Sequence, residues 1–101
     1  MRHFRGVKRD ANHKAIVGAL KAIGASVVDL AACGGGVPDL LVGYGTRNVL
    51  LEVKRPGVAG RKRGQVQNDT NDKQAKFRDA WRGQTATVES IEQAFTAIGI
   101  A

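Results

Sequence analysis

The sequence predicts a single α/β domain with the element order α-β-β-β-α-β-α, a mixed central sheet and helices on both of its faces. Three observations carry this. Two short apolar runs, Leu40-Leu41-Val42 and Val49-Leu50-Leu51 with Val53 beyond, flank Tyr44-Gly45-Thr46-Arg47 and read as a hairpin. Segments with apolar residues at helical spacing lie near both ends of the chain and after the hairpin. The last strand follows one of these helices, which implies a parallel, right-handed crossover from the third strand. A chain of 101 residues is one domain. Residues 1–9 read as a basic arm and residues 10–101 as the folded unit.

Arg2, Arg5, Lys8 and Arg9 make that arm cationic; it either touches phosphate or is a solvated tail. Asp10 or Asn12 is expected to cap a first helix that runs to Gly24. Ala15, Ile16, Ala19, Leu20 and Ile23 supply its apolar face. Ser26–Leu30 reads as the first strand. Gly34-Gly35-Gly36 then permit positive φ and close approach of another backbone. A phosphate-cradling loop normally feeds a helix N-terminus; this segment feeds a strand, so a nucleotide P-loop is excluded. Cys33 is the single cysteine, so it can form no intramolecular disulfide, has no zinc spacing and is expected to be a small filler. That cysteine usage fits a reducing cytoplasm.

After Lys54 the composition changes. Residues 55–64 form a glycine-rich basic loop, expected either to grip phosphates or to be a solvated surface loop. Asn71 with Gln74 reads as a capping box opening a second helix, with Ala75, Phe77, Ala80 and Trp81 on its buried side and Gly83 as its end. Trp81 is expected in the core rather than as a base-stacking platform. Thr85–Val88 is the fourth strand. Ser90 and Gln93 form a second capping box. Ile91, Ala94, Phe95 and Ile98 make the apolar face of a last helix that stops at Gly99.

The chemistry concentrates at one end of the hairpin. If Gly43 pairs with Asn48, the ladder places Asp39 directly across from Glu52, on one face. Lys54 lies two residues on and shares it. Both faces of the Glu52 strand carry apolar residues, which implies cover on both sides. Burying a carboxylate is costly without a partner charge or a metal. Two carboxylates side by side repel unless a divalent cation lies between them, and Mg²⁺ (or Mn²⁺) suits a few carboxylate oxygens, carbonyls and waters. The alternative is a strand end emerging into solvent, with Glu52 and Lys54 as a surface ion pair.

Pro38-Asp39 followed by Glu52-Val53-Lys54 is similar to the PD-(D/E)XK pattern of metal-dependent nucleases. With the glycine-rich segment before Pro-Asp and Leu-Leu-Glu-Val-Lys after it, residues 10–99 resemble the VRR-NUC branch of that superfamily, whose small stand-alone members occur in phages. The resemblance implies a restriction-endonuclease-like core and a Mg²⁺- or Mn²⁺-dependent DNA endonuclease. Asp39, Glu52 and the Val53 carbonyl would bind the metal. Lys54 would orient the attacking water or neutralise charge developing on the phosphate. Gln74 matches a glutamine that lies near the family's active site. The first helix of the family presents an acidic or amide side chain to the metal. His13 stands at that position as a departure, either orienting a water, contacting phosphate or serving as a surface histidine. The resemblance also implies a homodimer acting on branched DNA such as a four-way junction, in a bacterial or phage-infected cytoplasm.

A net charge of +7 points to a polyanionic partner. Arg9, Lys14, Arg55, Arg61, Lys62 and Arg63 are the candidate DNA contacts. No segment is apolar enough to span a membrane, the N-terminus lacks the apolar run of a signal peptide, and no organic cofactor is expected. The sequence holds no readable base-recognition helix. Linear, nicked or flap DNA therefore stays open as substrate, as does a non-catalytic DNA-binding module.

Overall fold

Gly45 and Thr46 both take positive φ, 56° and 68°, which closes a two-residue turn whose twist suits antiparallel strands. The computed structural model describes residues 3–56 and 69–100. Around that turn β2 (Leu40–Tyr44) and β3 (Arg47–Val53) pair with Gly43 opposite Asn48 and Leu40 opposite Leu51, the register the hydrophobic pattern predicts. β1 (Ser26–Asp29) pairs antiparallel with β2, and β4 (Gln84–Val88) pairs parallel with β3. The result is a mixed four-stranded sheet in the order β1-β2-β3-β4. The helices are α1 (His3–Ala22), α2 (Asp69–Ala80) and α3 (Ile91–Ala97), and a 3₁₀ turn spans Ala31–Cys33.

Side chains alternate across the sheet. Leu40 and Val42 of β2, Val49 and Leu51 of β3, and Val88 of β4 meet Ile16 and Leu20 of α1 and Ala94 and Ile98 of α3 in one buried cluster. Leu50 and Glu52 point the opposite way by the same alternation. Gln74 of α2 bonds Glu52, so α2 crosses that second face.

Several expectations are corrected. α1 begins at His3, so residues 3–9 are helical rather than an arm, and Asp10 and Asn12 lie inside the helix instead of capping it. α2 begins at Asp69, so Asn71 is interior and Gln74 is no capping partner. In α1, once the helix is nucleated, adding residues is cheap, and Arg5, Lys8, Arg9 and Ala11 propagate it well. Asp69 and Thr70 are weak helix formers, and their composition does not explain the earlier start of α2. Ala15, Ala80 and Cys33 are exposed. Trp81 is 44% exposed, and its indole stacks on Phe77 rather than on the sheet. At α3 the Ser90 side chain accepts the Gln93 amide at 3.0 Å as predicted, while Gln93 Oε1 takes the Glu89 amide rather than that of Ser90.

Candidate active site

Pro38 is buried and fixes the entry to β2. Asp39 directly precedes the strand. Its carbonyl accepts the Leu30 amide at 2.7 Å, prolonging the β1–β2 ladder. Its carboxylate Oδ2 accepts the Val53 amide at 2.8 Å, across the hairpin. This bond ties the Asp39 side chain to the far end of β3, one residue from Glu52.

Glu52 is 5% exposed, the one buried charged side chain among the described residues. Gln74 Nε2 donates to Glu52 Oε2 at 2.7 Å, and Lys54 Nζ donates to Gln74 Oε1 at 2.8 Å. Lys54 Nζ itself lies 3.9 Å from Glu52 Oε2. The amide therefore bridges the acid and the base. A carboxylate this deep is tolerable when a cation and hydrogen bonds compensate the lost hydration. With side-chain exposures of 7% for Glu52 and 24% for Lys54, the two are not a solvated surface pair.

Two backbone features hold these groups in place. Gly34, Gly35 and Gly36 all take positive φ, and a Cβ on Gly36 would stand 2.3 Å from the Lys73 carbonyl oxygen. Only glycine lets the first turns of α2 lie this close to the segment that leads into Asp39. At the other end, the Lys54 amide bonds the Val88 carbonyl at 2.9 Å. Asn12 Nδ2 donates to the Lys54 carbonyl at 2.8 Å and lies 3.4 Å from that of Glu89. α1 is thus pinned to the ends of β3 and β4 beside the site.

Asn12, rather than its neighbour, is the α1 side chain that bonds the ends of β3 and β4. Consecutive helical residues point about 100° apart. His13 accordingly turns to the β1 side, where its Nε2 lies 3.9 Å from Asp29 Oδ2. By its local sequence alone Asn12 reads as a helix cap. No spacing signal marks it, because the docking angle of α1 decides which residue faces the site.

Lys14 and Arg55 are exposed, and Arg9 lies within α1. Arg61, Lys62 and Arg63 lie outside the described residues. Among the described residues no group of three or more His, Cys, Asp and Glu side chains is placed to hold a metal ion, and no helix is long and apolar enough to cross a membrane. No protein-family model, curated protein or solved structure matches the chain.

Proposed function

We propose that the chain is a metal-dependent DNA endonuclease of the PD-(D/E)XK type, its α-β-β-β-α-β-α order being the restriction-endonuclease-like core and its motif that of the VRR-NUC branch. One observation carries this reading. The nearly buried carboxylate of Glu52 sits at a strand end, with Asp39 bonded one residue away and Lys54 tied to it through Gln74.

The donor set fits Mg²⁺ or Mn²⁺. Two carboxylates and the Val53 carbonyl offer hard oxygens in a number that leaves room for water, as Mg²⁺ prefers. When bound, the ion supplies Lewis-acid polarisation of the scissile phosphate and a lowered pKa for its water. The protein's own part is positional. Asp39, fixed by the Val53 amide, and Glu52, fixed by Gln74, hold their oxygens in place before substrate arrives. Lys54 carries a positive charge at the same strand end, where it orients the attacking water or offsets charge gathering on the phosphate. Its backbone is held by Asn12 and Val88, so only the side chain must adjust.

The net charge of +7 supports a nucleic-acid substrate. The family resemblance supports branched DNA and a two-fold dimer, since paired cuts in a four-way junction need two sites related by such an axis. The test is cleavage of a plasmid, a blunt duplex and a four-way junction with Mg²⁺ and with EDTA, alongside light scattering. Metal-dependent junction cutting by a dimer is expected. No cleavage of any substrate with either Mg²⁺ or Mn²⁺ would leave a DNA-binding module.

A further inference from the structure

We infer that Trp81 is a stacking platform for an unpaired nucleobase of the DNA substrate, set beside the candidate active site by α2. Trp81 follows the last residue of α2, and its amide still bonds the Phe77 carbonyl at 2.9 Å. The Phe77 and Trp81 rings stack with centroids 5.3 Å apart and planes 17° from parallel. Phe77 is half-buried and anchors the pair. The Nε1 edge of the indole lies over Gly83, where a Cβ would stand 2.9 Å from it. One face and one edge of the ring are therefore held, and the residue is still 44% exposed. A large aromatic fixed in orientation with exposed surface left over is a surface made for another planar group.

Placement and charge select the occupant. Trp81 lies two helical turns beyond Gln74 on the same stripe, about 10 Å along the axis. Gln74 bonds both Glu52 and Lys54. The platform thus lies about 10 Å along α2 from the residue that bonds the candidate site. Lys73, Arg78 and Arg82 are exposed on and just beyond α2, against the carboxylate of Asp79. Lys76 is turned to Asp72 at 3.7 Å. Exposed cationic side chains along the same helix as a part-exposed aromatic match a phosphate backbone with a base presented flat. Within a duplex the face of every base is covered by its neighbours. Only an unpaired or splayed base can meet the indole. The platform gives a physical reason for preferring branched or frayed DNA over continuous duplex, and in that sense it rests on the nuclease reading.

The chain has one tryptophan, so its own fluorescence reports the platform. The full-length protein in EDTA would be titrated with a dT oligonucleotide and with a blunt hairpin duplex. Strong quenching by dT and little by the hairpin is expected. By fluorescence anisotropy of labelled DNA, Trp81→Leu should weaken single-strand binding about tenfold and duplex binding less than twofold, with Trp81→Phe between, as loss of one stacked base implies. Single-strand binding without quenching, or unchanged by Trp81→Leu and Trp81→Phe, overturns the inference. So does an emission shift on raising protein concentration without DNA, accompanied by a doubled mass, because a second copy would then cover the ring. Cleavage in Mg²⁺ is scored separately. Quenching without cleavage supports the platform and sinks the nuclease reading, and cleavage without quenching does the reverse.

Discussion

On one face of the sheet Leu40, Val42, Val49 and Leu51 meet α1 and α3 at 2% exposure or less. On the other face Leu50, at 7%, shares its surface with Glu52 and with α2, an element joined to the sheet through the Gln74 amide and the Gly36 contact and ending in an exposed tryptophan. The first face is a dry core whose stabilisation scales with apolar area removed from water. The second also buries Leu50, but adds polar bonds of modest net strength at Glu52 and Gln74. On the nuclease reading, stability and chemistry therefore fall on opposite sides of one strand, β3, by its two-residue alternation, and the side that would meet DNA is the side that can give.

The largest expected effect tests that division directly. Leu51→Ala should cost about 2–5 kcal/mol, because the space lies between two helices and cannot collapse. In a domain of this size each kcal/mol lowers the melting temperature by about 4–8 °C. Leu50→Ala, on the α2 face, should stay at or below the lower end of that range. Equal losses in thermal melts would mean that α2 closes a second core.

The two carboxylates should separate by the same logic. Glu52→Gln and Asp39→Asn are each expected to lower cleavage by about 10²-fold or more, the usual scale for removing a group that handles developing charge. Their stabilities should differ. Glu52→Gln removes a buried charge and should leave the metal-free melting temperature unchanged or raise it. Asp39→Asn replaces the charged acceptor of the Val53 amide and should cost about 1 kcal/mol. Retained cleavage in both variants would end the assignment of these residues to a metal site.

The hairpin register and the pairing of Asp39 with the end of β3 were legible because one face of each strand is fully apolar, so a slip of one residue would bury the wrong set. The Gly34-Gly35-Gly36 signal was equally physical: three successive residues without Cβ mark where chains must come close. The helix starts were not legible. Asp10, Asn12 and Asn71 resemble caps locally, and nothing local says that the residues before them continue the helix. Trp81 misled for a related reason. Hydrophobicity predicts burial only where a partner surface exists, and past the end of α2 the indole stacks on Phe77 and still keeps 44% of the residue exposed.

Gly36→Ala sharpens the comparison at the joint between loop and helix. The added methyl would have to displace the Lys73 backbone, and overpacking of this kind costs about 1–3 kcal/mol. We expect α2 to shift and Gln74 to leave Glu52, lowering cleavage about tenfold by the loss of one positioning contact. In a double-mutant cycle with Gln74→Ala the two losses should not add. Additive losses would mean that Gly36 acts on Asp39 alone.

The smallest effect belongs to Asn12. Its amide holds the Lys54 carbonyl at 2.8 Å, with the Glu89 carbonyl at 3.4 Å, and so joins α1, which packs the dry face, to the strand end that carries the candidate site. Asn12→Ala removes one net hydrogen bond, about 1 kcal/mol. The rest of α1 stays anchored by Ile16 and Leu20, so the melting temperature should fall by no more than about 4–8 °C. Cleavage should fall severalfold, because Lys54 keeps its Val88 bond and its Gln74 partner but loses the clamp on its carbonyl. Asn12→Asp separates a structural tie from a positioning one. An acid cannot donate to a carbonyl when ionised, yet it adds a third carboxylate at the strand end that holds Lys54. If Asn12 only fastens the helix, Asp and Ala should be equally impaired at every metal concentration. If the site has room for a third acid, the Asp variant should regain cleavage at lower Mg²⁺ or Mn²⁺ than the Ala variant requires. Wild-type cleavage in both variants, with the expected small change in melting temperature, would confine Asn12 to the fold and remove α1 from the chemistry altogether.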